Sequence, residues 1–159
     1  MCDFCGCRSQ PAIDELSAEH ERLLDLVYAL RRDAARSDHA TVVRTLETAI
    51  VPLLHHHTDK EERGLFAQLR AAWEADARLS ALESEHRHLE ELIATVLRGA
   101  AGWSAVVGRM ADELSQHVFD EETDLFPYAL YELDDARWDA VEAVHASTRP
   151  AVGPVTVRA

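Results

Sequence analysis

The sequence has few of the residues that hold together small extracellular or β-rich proteins. Its 159 residues include six glycines, five prolines and three cysteines, and the cysteines are Cys2, Cys5 and Cys7. Three cysteines clustered at one end cannot form a disulfide framework for a chain of this length, which favours a reducing compartment. Alternating Val, Ile and Thr stretches are scarce, whereas Ala, Leu, Glu and Arg are abundant. An all-α fold is therefore expected.

The chain also lacks a long apolar run and an excess of positive charge. The longest apolar run, residues 49–54, is far shorter than the ~20 residues that cross a bilayer. Residues 1–10 have neither the basic start nor the apolar stretch of a secretion signal. Sixteen Lys and Arg against 29 Asp and Glu give a formal net charge of −13, which repels phosphate and anionic lipid. We expect a cytoplasmic protein that binds neither nucleic acid nor a membrane; its protein partner is unknown.

Apolar residues at helical spacing predict four long helices and a shorter fifth one. The predicted ranges are about 13–37, 40–69, 76–98, 103–130 and 134–146. Pro52 removes a backbone donor within the second helix and is expected to bend that helix without ending it. Short connections between long helices imply antiparallel neighbours, so we expect an up-down-up-down four-helix bundle with a short C-terminal fifth helix. The expected division is a cysteine-containing segment 1–12, the bundle with its extra helix 13–147, and an irregular tail 148–159.

Polar residues interrupt the apolar stripes of these helices at matching places. The pattern HxxxEExxLF occurs twice, sixty residues apart, starting at His57 and His117, and EHxxLxxL starts at Glu19 and Glu85. These repeats indicate that the chain consists of two related helical hairpins. A His and a Glu four residues apart lie on the same face of a helix. With a rise of about 1.5 Å per residue, four histidines fall in one layer of the bundle: His20, His57, His86 and His117.

A buried layer of histidines and glutamates is expected to bind a cation. Histidines and glutamates buried together without a cation carry a high desolvation cost, because even one unpaired buried carboxylate costs several kcal/mol, and a metal ion removes this cost. Imidazole and carboxylate suit iron, manganese or zinc. Two carboxylates near the axis of a two-fold repeat suit a pair of ions that both carboxylates bridge. The candidate ligands are His20, His57, Glu61, His86, Glu90, His117 and Glu121.

Simpler interpretations compete with a metal site. A single HxxxE pair is usually a surface salt bridge, and a metal-free helical interaction module would carry such pairs; the second copy argues against both. Glu83 with His86 could be the ExxH motif of ferritin-like bundles, but those need more glutamates and fewer inward histidines. Two questions stay open. Glu90 is either a ligand, or a partner that contacts the ligands or lies at the surface. Glu62 and Glu122 either hydrogen-bond ligand histidines or form interhelical ion pairs.

These motifs resemble the hemerythrin-like family, also known as HHE cation-binding domains. The family signature is a lone His, an HxxxE, another His and a closing HxxxE or HxxxD, and all four parts are present between residues 13 and 130. The resemblance implies a non-haem site of two iron ions, oxo- or hydroxo-bridged, with zinc or manganese as alternatives in a given preparation. It implies these roles: His20 and His57 on one iron, His86 and His117 on the other, and Glu61 and Glu121 as bridges.

The chain departs from the oxygen-carrying members of that family on the third helix. Those proteins have HxxxH there, whereas this chain has Glu90 four residues after His86. This resembles the HxxxE variant of some bacterial hemerythrin-like proteins, which is associated with peroxide or nitric oxide chemistry more than with reversible oxygen carriage. The expected function is binding or turnover of dioxygen, hydrogen peroxide or nitric oxide at an open iron position. The alternative is an iron or oxygen sensor, or an iron-binding regulatory module, without catalysis.

The three cysteines have no assigned role. Three thiolates at this spacing can share a soft ion, but a tetrahedral zinc site needs a fourth ligand that the segment does not obviously supply. The alternatives are a redox-active or metal-acquiring segment and a chemically incidental one.

Overall fold

The computed structural model describes residues 7–72, 77–99 and 101–148. Within these ranges every regular element is a helix and no strand occurs. The elements are α1 (Pro11–Ala34), α2 (39–72), α3 (Ala77–Leu97), α4 (103–132) and α5 (Asp135–Ser147). This confirms the all-α bundle with a short fifth helix. No helix in the described ranges is both long enough and apolar enough to cross a bilayer.

The predicted terminal segments are described only in part. Cys7–Ser9 forms a single 3-10 turn before α1. Cys2 and Cys5 lie outside the described residues, as do residues 149–159 of the predicted tail. The proposed limits of both segments therefore stay predictions.

The helix ends follow from local sequence. Pro11 occupies the start of α1, where its missing N–H is not needed. Asp38 and Asp134 precede α2 and α5, and their side chains accept hydrogen bonds from backbone N–H groups of the first turn. After α3, Gly99 has a φ of 67°, a left-handed conformation that glycine adopts without strain. These residues set the limits of the helices that carry the polar layer.

Helices α2 and α4 each change to π-helical geometry at the first glutamate of HxxxEExxLF. The π segments are Glu61–Phe66 in α2 and Glu121–Leu125 in α4. Another π segment, Leu46–Ile50, precedes Pro52, and the Val51 N–H bonds to the carbonyl of Leu46, five residues back. The wider turn accommodates a proline that cannot donate, so α2 continues through Pro52 as predicted.

The polar layer lies between two apolar clusters of the bundle core. Helices α1 and α3 pack on α4, α1 packs on α2, and α5 packs on α1 and on the Glu61–Phe66 segment. The first cluster includes Leu23, Leu54, Leu89 and Leu114. The second cluster includes Leu16, Leu65, Leu82 and Leu125. Each long helix contributes a leucine on either side of its polar residues, which encloses the layer along the bundle axis.

Candidate metal centre

Glu61 stands between histidines from three different helices. Its Oε1 lies 3.2 Å from Nε2 of His57 and 3.8 Å from Nε2 of His20. Its Oε2 lies 3.4 Å from Nε2 of His86 on α3. The carboxylate is completely buried. One carboxylate thus faces histidines of both halves of the sequence repeat, as expected for a bridging ligand.

Glu121 occupies the corresponding place on α4. Its Oε2 lies 3.1 Å from Nε2 of His20 and 3.3 Å from Nε2 of His117. The ligand atoms fall into two groups, each with all atoms within 4.8 Å of one another. Position A is His20, His57, Glu61 and Glu121, and position B is Glu61, His86, His117 and Glu121. Both glutamates belong to both positions, so the six repeated residues come together as the sequence predicts.

The cluster leaves buried polar atoms without hydrogen bonds. Both carboxylate oxygens of Glu61 and of Glu121 lack a hydrogen-bond partner, as does Nε2 of His20 and of His57. These atoms approach one another at ion-pair distance but not with hydrogen-bond geometry. Leaving such a group unsatisfied costs about 1–3 kcal/mol, and more when it is charged. Carboxylate oxygen and imidazole nitrogen are donors that iron, manganese and zinc accept, so the donor set fits metal ions.

Every histidine of the cluster donates its Nδ1–H to a further glutamate. The pairs are His20 with Glu122 (3.0 Å), His57 with Glu19 (3.2 Å), His86 with Glu62 (2.8 Å) and His117 with Glu85 (2.8 Å). An ionised carboxylate only accepts hydrogen bonds, so each neutral imidazole carries its proton on Nδ1 and can offer the Nε2 lone pair to a metal. The four outer carboxylates therefore fix both the tautomer and the ring orientation of the ligands.

The outer carboxylates resolve one open question and add two residues to the site. For Glu62 and Glu122 the structure shows the hydrogen bonds to ligand histidines. Sequence reasoning did not assign Glu19 and Glu85. Their signal was the repeated EH pair, in which each glutamate directly precedes a ligand histidine. Glu19 nevertheless bonds to His57 of the neighbouring helix, and not to the histidine that follows it.

Glu90 does not join the cluster, which corrects its placement among the inward-facing ligands. Its side chain is 56% exposed, and its Oε1 lies 3.5 Å from Nε2 of the exposed His55. The reason is the phase of α3. At about 100° per residue, the buried Leu89 and Ile93 lie on one side of His86, whereas Glu90 lies about 40° away on the other side. Positions A and B thus contain the same residue types, two histidines and two glutamates each.

The close contact of imidazoles and carboxylates shifts their pKa values. Burial lowers the pKa of His57, but the negative charge of the adjacent Glu61 and the hydrogen bond with Glu19 outweigh burial and raise it to about 10. Burial also opposes protonation of His86, yet the adjacent Glu61 carboxylate and the hydrogen bond with Glu62 raise its pKa to about 10. Burial acts to raise the pKa of Glu61, but His57 and His86 hold it well below 4.5. In the metal-free chain, the protons on these imidazoles supply the positive charge that bound metal ions would otherwise provide.

The stability of the metal-free protein is therefore expected to fall in alkali. The pKa of His57 and of His86 rises from 6.5 to about 10 on folding. Their protonation stabilises the folded chain fully below pH 6.5, and this contribution is lost as the pH rises through about 10. Metal binding needs the neutral imidazole, so the metal affinity should rise over the same window. Urea unfolding of chelator-treated protein at pH 6.5 and near pH 10 checks this, and an unchanged midpoint would contradict it.

The fold and the cluster define a class: a helical-bundle protein with a buried metal-binding site of histidine and glutamate. Within that class, the model of the family described as "Hemerythrin HHE cation binding domain" matches residues 12–129. The match covers well over half of the 159 residues, so the chain belongs to the hemerythrin HHE cation-binding family. The buried His and Glu groups indicate metal-ion binding. A search of curated proteins and a search of solved structures gave no match.

Proposed function

We propose that this chain is a non-haem diiron protein that binds or turns over a small oxidant: dioxygen, hydrogen peroxide or nitric oxide. The observation that carries the proposal is that Glu61 and Glu121 each belong to both ligand groups. Carboxylates shared in this way suit a pair of ions at short separation. When bound, iron would supply the electron transfer to or from the oxidant, which none of the cluster side chains provides.

The ligand count supports an open coordination position. Each position has two imidazoles and two carboxylates that it shares with the other position. An octahedral ion has six positions, so a small molecule finds room at either ion. Glu90 lies outside the cluster and does not fill one of these places. The chain's own ligands thus leave space for an exogenous ligand at both positions.

The phenylalanines of the two HxxxEExxLF copies cover the cluster. Phe126 stacks on the ring of His20 with centroids 5.6 Å apart, and Phe66 stacks on the ring of His86 at 5.9 Å. Both phenylalanines are completely buried. Each copy of the motif therefore supplies a carboxylate to the cluster and an aromatic ring that keeps bulk water away from a histidine in the other half of the bundle.

Metal analysis and peroxide turnover test this function. Freshly purified protein is expected to contain two iron ions per chain, measured by elemental analysis. The loaded protein is expected to disproportionate hydrogen peroxide faster than free iron at the same concentration, measured as evolved oxygen. A rate no faster than that of free iron contradicts the enzymatic form of the proposal. Protein grown with ample iron that carries none contradicts the diiron site itself.

One contact favours a sensor without catalysis as a second candidate. Helix α5 packs on the π segment that begins with Glu61. Within that segment a Cβ added at Gly64 would lie 3.6 Å from side-chain atoms of Val141 and Val144 of α5, so the two elements are in close contact. A change at the metal cluster thus has a short path to an outer helix. Hydrogen exchange of the α5 amides with and without metal distinguishes this candidate.

A further inference from the structure

Positions A and B have the same ligand types but different surroundings. The outer carboxylates at position A are largely buried, with 14% of the Glu19 side chain and 8% of the Glu122 side chain exposed. Those at position B are open to solvent, with 40% of Glu62 and 46% of Glu85 exposed. The histidines at A are therefore supported by shielded groups and those at B by solvated ones.

A buried lysine fixes one of the outer carboxylates at position A. Lys60 is the only lysine of the chain and is completely buried. Its Nζ lies 2.5 Å from Oε1 of Glu19 and 2.7 Å from Oε1 of Glu15. The other oxygen of Glu19 accepts the Nδ1–H of His57 at 3.2 Å. A desolvated ammonium needs such partners, and charge-assisted hydrogen bonds are short and directional, so Lys60 holds Glu19 in the orientation that supports His57.

The sequence repeat gives position B no lysine at the place equivalent to Lys60. The sixty-residue repeat places Asp120 where the first copy has Lys60. Asp120 and Glu85 line the same surface cavity, of about 200 Å³. Arg78 also lines this cavity, and its guanidinium lies 3.1 Å from the carboxylate of Asp124. An anion at this place repels Glu85 and cannot hold it against His117. A second cavity of about 200 Å³ is lined by Glu85 and His117 themselves. Solvent therefore reaches Glu85, the outer carboxylate behind His117, whereas the ring of His117 itself is buried.

We propose that Lys60 is a positioning residue that makes the two metal positions unequal: position A binds its ion first and more tightly, and position B holds the exchangeable ion. This inference rests on the proposed function, because it assumes that the cluster binds two ions. A ligand imidazole whose ring and tautomer are fixed before binding loses less freedom when the metal arrives. Removal of such a supporting hydrogen bond typically weakens metal binding by about 10–100-fold.

Stepwise loading of the metal-free full-length chain with Zn²⁺ alone tests this order. Calorimetry gives the number of steps, and ¹⁵N NMR of labelled histidines, assigned with single variants, shows which rings bind through Nε2. The first equivalent is expected to shift His20 and His57, and the second His86 and His117. Lys60→Met should weaken the first step by about 10–100-fold and leave the second unchanged. Lys60→Arg, which keeps the charge, should retain the order of filling.

Two further variants test the role of Lys60, one that adds a lysine at position B and one that weakens the contacts of Lys60 at position A. Asp120→Lys places an ammonium near Glu85 and is expected to tighten the second step. Glu15→Gln removes one anchor of Lys60 at a half-exposed residue and should weaken the first step even if Lys60→Met does not fold. Simultaneous filling of all four histidines, or equal weakening of both steps by Lys60→Met, overturns the inference but leaves a two-ion site. Absence of any Zn²⁺ binding overturns both the inference and the proposed function.

Discussion

Glu61→Gln is expected to remove both metal ions from the protein. One oxygen of Glu61 faces His20 and His57 and the other faces His86, so loss of its charge affects both positions at once. The loss of affinity should exceed the ~10–100-fold typical of a supporting residue. Metal per chain after dialysis, measured by elemental analysis, should fall from two towards none. A variant that retains one tightly bound ion would contradict the sharing of this carboxylate.

Glu90→Gln is the matched control for that experiment. It makes the same chemical change at the same sequence separation from a candidate ligand histidine, because Glu90 follows His86 by four residues as Glu61 follows His57. The Glu90 side chain is 56% exposed, so this variant should keep its full metal content and its folding stability within about 0.5 kcal/mol. Equal metal loss in both variants would show that Glu90 reaches the cluster as a ligand.

The contrast between these two glutamates shows where sequence reasoning fails. A four-residue step rotates a side chain by about 40°, which leaves both Glu61 and Glu90 at the edge of the face that their histidine defines. In α2 the chain enters a π segment at Glu61, and the extra residue per turn moves the buried face towards the glutamate. In α3 the apolar residues continue at regular α-helical spacing on the far side of His86. The motif HxxxE is the same in both helices and therefore does not encode this difference.

The hydrogen-bond pairing of the outer carboxylates is the other feature that the sequence could not supply. Periodicity fixes which residues face the interior, and it identified the layer of four histidines. It does not fix how neighbouring helices are rotated and tilted. Glu19 therefore reaches His57 across the α1–α2 interface, and Glu85 reaches His117 across the α3–α4 interface. The pairs are nevertheless equivalent in the two halves of the repeat.

Removal of the two metal ions is expected to lower the melting temperature by about 16–32 °C. An ion present at a thousand times its dissociation constant stabilises the folded state by about 4 kcal/mol, so two ions contribute about 8 kcal/mol. A change of 1 kcal/mol shifts the melting temperature of a chain of this size by about 2–4 °C. Without ions, the buried oxygens of Glu61 and Glu121 have no hydrogen-bond partner. Thermal unfolding of iron-loaded and chelator-treated protein, followed by circular dichroism, measures the shift.

The double variant Glu61→Gln/Glu121→Gln separates metal loss from general effects of the chelator. Glutamine has nearly the same shape as glutamate and removes two buried charges, so this variant should fold, bind no metal and melt at the same temperature with and without chelator. Hydrogen exchange of the unmutated chain shows which helices are destabilised when the metal is removed. Faster exchange of the α5 amides after chelation supports transmission through the Glu61–Phe66 segment on which α5 packs. A lower melting temperature with unchanged α5 exchange would confine the effect to the bundle and contradict the sensor candidate.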